Sequence, residues 1–136
     1  MPKFGKASRK NLSGVDFRLS LLFEEVVKHF DCSVTEGLRT LSRQQELLDK
    51  GASKTLKSKH IDGKAVDVIA YPIDYDDFKR NYYFGGFVMG MAKAMDIPIR
   101  WGGDWNGDTI LSGKDPNQTF DDLVHFEIKE NHGDKR

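Results

Sequence analysis

Apolar residues recur at steps of three and four through Leu12, Val15, Leu19, Leu22, Phe23, Val26, Val27 and Phe30. That spacing lines one face of a helix, and it predicts an amphipathic helix from about Ser13 to Phe30. A short strand near Cys32–Glu36 follows. Ser42-Arg43-Gln44-Gln45 has the form of a capping box and Gly51 that of a C-terminal stop, so a second helix is expected between them. Residues 51 to 64 are polar and carry Lys54, Lys57, Lys59 and Lys64; they read as a solvated loop or as a cationic rim that meets carboxylates. Ala65–Tyr71 is apolar and β-favouring apart from Asp67, and Pro72 ends it. Phe84, Phe87, Val88, Met91 and Met95 share one face of a third helix over about Asp76 to Met95, with a break at Gly85-Gly86 as one option. Ile97–Trp101 reads as a strand, residues 102 to 121 as a long loop, and Leu123–Ile128 as the last strand. Helices first and strands later, without βαβ regularity, imply an α+β fold with a mainly antiparallel sheet and flanking helices.

Length and composition narrow the functional classes. The 136 residues suit one small domain, 1–136, with a charged tail from about 129. Twenty-one basic and 21 acidic residues cancel, so no overall field favours nucleic acid or an anionic membrane. No apolar stretch approaches transmembrane length, and Met1-Pro2-Lys3-Phe4-Gly5-Lys6 lacks the apolar run of a signal peptide. A monomer without stable membrane association is expected. Cys32 is the single cysteine, which suits a reducing compartment, and it reads as a small buried apolar residue.

The chemistry concentrates in Ser58-Lys59-His60-Ile61-Asp62-Gly63-Lys64-Ala65-Val66-Asp67, which reads S-x-H-x-x-G-x-A-x-D. A chance match to these five residue types at this spacing is on the order of one in ten thousand for a chain this long. Asp67 lies between Val66 and Val68, and a carboxylate in an apolar strand is costly unless paired or bound to metal. With His125 downstream, His60 and Asp67 offer two imidazoles and one carboxylate, a set that leaves tetrahedral Zn2+ one open position for water. Gly63 permits the tight turn that brings His60 and Asp67 together. Ser58 orients His60, contacts substrate, or is an ordinary loop serine. Hydrolysis by a water at such a site also needs a base, for which Asp121, Asp122 and Glu127 are rivals. Glu127 alternates with His125 on one strand face, so proximity alone does not exclude it.

The motif resembles that of the zinc peptidases that cut bacterial cell-wall peptides. These are the D-alanyl-D-alanine carboxypeptidases and dipeptidases and the phage L-alanyl-D-glutamate peptidases, and the small layout looks most like the phage endolysin branch. Glu36-Gly37-Leu38-Arg39-Thr40 looks like the family's arginine segment, Gly102-Gly103-Asp104-Trp105 resembles the run before its last strand, and Asp122-x-x-His125 closes the site. These landmarks span roughly residues 34 to 128. The resemblance implies a hedgehog/DD-peptidase-like fold, Asp122 as the base, and Arg39 as an oxyanion donor or a clamp on a substrate carboxylate. Trp105 shapes the cleft or belongs to the core. A peptidoglycan stem peptide is the implied partner. A phage lysis enzyme would accumulate in the host cytoplasm and reach the wall when a partner opens the membrane.

Other chemistries lack their residues: no H-E-x-x-H helix, P-loop, G-x-S-x-G elbow or cysteine pair is present. Asp104, Asn106, Asp108, Ile110, Ser112 and Asp115 fall on the ligand positions of an EF-hand-like loop, which raises Ca2+ as a second metal. Thr109 and Asp115 stand where such loops carry Gly and Glu. The resemblance thus implies a zinc endopeptidase of the L-alanyl-D-glutamate bond. The alternatives are a D-alanyl-D-alanine carboxypeptidase and a zinc-stabilised wall-binding module that does not cut.

Overall fold

A computed structural model describes residues 2–51, 59–111 and 122–129. In chain order the elements are α1 (Lys6–Leu12), α2 (Phe17–His29), β1 (Cys32–Glu36), α3 (Leu41–Asp49), β2 (Ala65–Ala70), α4 (Phe78–Ala94), β3 (Ile99–Gly102) and β4 (Asp122–Ile128). The strands form one sheet in the order β1-β2-β4-β3, and every neighbouring pair is antiparallel. This is the α+β, mainly antiparallel arrangement expected from the order of elements.

Two local expectations need correction, and one left open is decided. The helix expected from about Ser13 starts only at Phe17: Leu12 ends α1, Gly14 takes a left-handed backbone (φ +86°), and Asp16 caps α2 by accepting from the Arg18 backbone N–H. A 3.6-residue period continues across such a break, so periodicity alone does not show it. The second helix is capped by Thr40, whose side chain accepts from the Arg43 N–H, rather than from within Ser42-Arg43-Gln44-Gln45. The third expected helix is present as α4, and the optional break at Gly85-Gly86 does not occur. A Cβ on Gly85 would lie 2.0 Å from the Trp101 ring, so this glycine lets the helix seat directly on β3.

The helix-covered face holds the core. Val66 pairs with Phe126 and Phe126 with Trp101 across β2, β4 and β3, and all three are buried. Phe23 of α2 and Phe84 of α4 meet the Phe126 ring at 5.4 and 6.3 Å between centroids. Trp101 also donates its Nε1–H to the Leu123 carbonyl at 2.9 Å, which ties the start of β4 to β3. Cys32 belongs to this core, and burial pushes its thiol up to about 12, beyond reactive range. Helix α1, which the hydrophobic pattern left unassigned, covers the β1 edge. Ser8 accepts from the Val34 N–H at 3.0 Å and Asn11 donates to the Val34 carbonyl at 2.7 Å, so both outward backbone groups of Val34 are satisfied.

Candidate metal centre and active site

The side chains opposite the core emerge on the open face of the sheet. Asp67 pairs with His125 across β2 and β4, and Glu127 with both Ala65 and Arg100. A bulge in β1 between Val34 and Glu36 places Glu36, rather than Thr35, opposite Asp67. Glu36, Asp67 and His125 therefore form a row across three strands.

His60 arrives from the turn before β2. Gly63 holds that turn with a left-handed backbone (φ +69°), and a Cβ there would approach the Gly14 carbonyl to 2.9 Å. The His60 carbonyl accepts from the backbone N–H groups of Arg39 at 2.9 Å and Gly63 at 3.2 Å. Its ring Nδ1 meets the Gly37 carbonyl at 2.9 Å, which leaves Nε2 facing Asp67 Oδ1 at 3.2 Å. His125 is oriented the other way round. Its Nε2 meets Glu127 Oε1 at 2.8 Å, and its Nδ1 faces the same Asp67 oxygen at 3.5 Å. The three facing atoms lie within 4.8 Å of one another.

This geometry passes a direct test of fit for a metal. Each histidine has its remote nitrogen occupied by a hydrogen-bond acceptor, so the tautomer that presents a lone pair inward is selected on both rings. Among the described residues, this is the only cluster of three or more His, Cys, Asp or Glu side chains close enough to share an ion. Without an ion, the inward nitrogens meet Asp67 as their acceptor instead. Burial works to raise the Asp67 carboxyl, but hydrogen bonds from both imidazoles outweigh it and hold the group well below the ordinary carboxylate range. Burial alone would lower His125; its bonds to Asp67 and Glu127 reverse that and push it up to about 9 in the metal-free protein.

Asp122 opens β4, half-buried, where its backbone runs against Gly102. A Cβ at Gly102 would lie 2.0 Å from the Asp122 carbonyl oxygen, so glycine is needed for that approach. Burial raises the Asp122 carboxyl, and the charge of Asp67 raises it further. Arg39 has a nearly buried side chain. It pairs with Glu36, donates from Nη1 to Gln44 Oε1 at 2.6 Å, and feels the charges of Asp67 and Asp122. Trp105 lies against His125, with ring centroids 5.4 Å apart, and the Arg100 guanidinium lies over the Trp105 ring at 4.9 Å. Trp105 is thus a wall of the metal site rather than a core residue.

The remaining expected residues lie elsewhere. Ser58, Ser112, Asp115 and Asp121 fall outside the described residues, as do Lys54 and Lys57. Of the cationic rim, Lys59 is engaged with Glu127 at 3.2 Å and the Ile128 carbonyl at 3.0 Å, and Lys64 with Asp16 at 3.2 Å. In the proposed calcium loop, Asp104, Asn106 and Asp108 accept from the backbone N–H groups of Thr109, Asp108 and Ile110. Those contacts shape turns, and they supply no argument for an ion. Sequence reasoning missed Gln44, read as part of a cap but fully buried as the Arg39 partner, and the Gly37 carbonyl behind His60. Only the proximity of both to the Arg39 segment signalled them.

An open sheet face with two clamped histidines, a shared carboxylate and a further half-buried acid has the make-up of a metal-dependent hydrolase site. The chain belongs to the phage L-alanyl-D-glutamate peptidase family, whose model matches residues 1–129. It is 28% identical over 127 residues to the L-alanyl-D-glutamate peptidase of Escherichia phage T5, covering 88% of this chain and 93% of that protein. It is 34% identical over 77 residues to the enzyme of the same name from Listeria phage A118, covering 54% of this chain and only 26% of that longer protein. Among solved structures it resembles the Serratia marcescens L-Ala D-Glu endopeptidase ChiX. The TM-score is 0.76 and the identity 30%, with 93% of this chain and 90% of that one covered.

Proposed function

We propose that this chain hydrolyses the L-alanyl-D-glutamate bond of bacterial peptidoglycan stem peptides, with Zn2+ held by His60 Nε2, Asp67 and His125 Nδ1, and that it serves as a phage endolysin. The observation that carries the reading is the pair of histidines clamped from behind so that opposite ring nitrogens face one carboxylate oxygen. Bound there, zinc would acidify a water to a pKa of about 7 and polarise the scissile carbonyl.

The other roles fall to the chain's own groups. Asp122 takes the proton of the attacking water and returns it to the departing D-glutamyl nitrogen as the C–N bond breaks. Its raised proton affinity suits that exchange better than an ordinary surface carboxylate. Arg39, fixed by Glu36 and Gln44, directs its guanidinium at the carbonyl oxygen or at a substrate carboxylate. Trp105 walls the cleft beside His125, and Ser58, two residues before His60, serves as a substrate contact. The protein acts as a monomer made in the host cytoplasm and released to the wall at lysis. No described helix is long and apolar enough to cross a membrane.

The test is digestion of purified wall with and without a zinc chelator, the products being identified by mass. The expected products are peptides with a new D-glutamyl amino terminus, lost on chelation and restored by zinc. Release of terminal D-alanine alone would point to the carboxypeptidase. Zinc uptake without any cleavage would point to the binding module.

A further inference from the structure

Glu127 takes no part in the chemistry above, yet its side chain is almost wholly buried on the open face of the sheet. One oxygen meets His125 Nε2 at 2.8 Å, and the other faces Lys59 Nζ at 3.2 Å and Arg100 Nη1 at 3.7 Å. Lys59 also donates to the Ile128 carbonyl at 3.0 Å, so the residue just before His60 is fastened to the strand that bears His125. Arg100 is held in turn by its bond to the Trp105 carbonyl at 2.9 Å. A buried carboxylate with two cations on one oxygen has its other oxygen aimed in one direction, and that direction is the His125 ring.

We propose that Glu127 is a positioning residue for metal binding. It accepts the Nε2–H of His125 and so fixes the tautomer and ring orientation that present Nδ1 to the ion, while Lys59 and Arg100 keep its carboxylate in place. The two histidines are then unequal. His60 is backed by a neutral backbone carbonyl and His125 by a full negative charge, which makes His125 the more strongly donating ligand. The same contacts remove Glu127 as a rival base, because its oxygens face the far side of the ring from Asp67.

The inference rests on the zinc reading above, and the experiment separates the two. Zinc affinity of the full chain is measured by competition with a chromogenic chelator for wild type, Glu127→Ala and Glu127→Gln, together with the melting temperature of each metal-free protein. Glu127→Ala should bind zinc about 10–100-fold more weakly. Glu127→Gln should recover most of that loss, since its amide oxygen still accepts the Nε2–H. Wild-type affinity in Glu127→Ala, with only a lower metal-free melting temperature, would make Glu127 structural glue and overturn the proposal. So would a glutamine variant no better than the alanine one. If neither variant folds, nitrogen NMR of the zinc-loaded wild type decides: the proton should sit on His125 Nε2, and metal at Nε2 overturns the proposal. A wild type that takes up no zinc ends the zinc reading and this inference together.

Discussion

On the helix-covered face of the sheet, Val66, Val68, Trp101, Phe126 and Ile128 are all 3% exposed or less and pack on helix residues such as Phe23 and Phe84. On the opposite face of the same strands, Asp67, His125, Glu127 and Arg100 carry charge and meet through single atoms at set distances. The first face is held by many weak, non-directional contacts, so each side chain contributes through its volume. The second is held by hydrogen bonds and ion pairs, each with one donor and one acceptor, so a change of one atom type removes a function while the volume stays the same. Damage to the covered face should therefore appear as lost stability, and damage to the open face as lost metal or lost rate.

The largest separation should come from the three inward-facing ligands. His60→Ala, Asp67→Ala and His125→Ala should each lose zinc and wall hydrolysis together, with the fold retained. They should also lose the rise in melting temperature that zinc should give the wild type, since an ion that binds only the folded state stabilises it by mass action. Elemental analysis beside a lysis assay checks this. A variant with stoichiometric zinc and normal lysis would take its residue out of the ligand set.

Asp122→Asn should come next, because it keeps the shape of the side chain and removes only the ability to take a proton. Wall hydrolysis should fall by roughly 10^2 to 10^4, with zinc content and melting temperature near wild type. Glu127→Gln in parallel should be much milder. If Glu127→Gln is the dead variant and Asp122→Asn still cuts, the base has been assigned to the wrong carboxylate.

The covered face has its own counterpart in Phe126→Ala, at the contact of Val66, Trp101, Phe23 and Phe84. Truncating a buried phenylalanine costs about 3–5 kcal/mol. Denaturant unfolding should show that loss, while turnover of the zinc-loaded folded fraction stays within a few fold. Arg39→Lys tests the open face at slightly lower cost. A lysine cannot hold Glu36 and Gln44 at once in the planar fork that the guanidinium uses. Loss of an oxyanion donor should slow turnover by about 10^2 to 10^3 with zinc retained. Unchanged kinetics would leave Arg39 a structural tie between β1 and α3.

The two faces also differ in how far they could be read in advance. Strands β1, β2 and β4 were legible within a residue or two, because apolar runs bounded by turn residues reflect the covered face directly. His60, Asp67 and His125 could be grouped because a carboxylate between two valines demands a partner, and the three side chains do converge. The split at Gly14 was not legible, and Gly85 left the continuity of its helix open, since each depends on a contact distant in sequence: Gly14 with the His60 turn, Gly85 with Trp101. Glu127 shows the same limit on the open face. Period-two alternation places it beside His125, but which ring nitrogen it meets depends on the pull of Lys59 and Arg100 from elsewhere in the chain.

The smallest expected effect is one of pH, and it sharpens the comparison because only the open face can show it. In the metal-free protein His125 is raised from 6.5 to about 9, burial being outweighed by its bonds to Asp67 and Glu127. A group whose folded-state pKa is raised contributes stability that is complete below its unfolded value and is lost as pH climbs through the folded one. Chelator-treated protein should therefore melt at progressively lower temperature from about pH 6.5 to 9, by something on the order of 5 °C. Asp67 and Glu127 are shifted downward, so their contributions are already complete at the acid end of that window and add no slope. With zinc in place of the proton on His125, the loaded protein should lose the decline, because metal binding strengthens as its ligands deprotonate. His125→Ala should flatten the metal-free profile. Phe126→Ala should lie lower at every pH with the wild-type slope. A metal-free wild type whose melting temperature is level from pH 6.5 to 9 would show that the Asp67–His125–Glu127 contacts do not hold a proton on the imidazole.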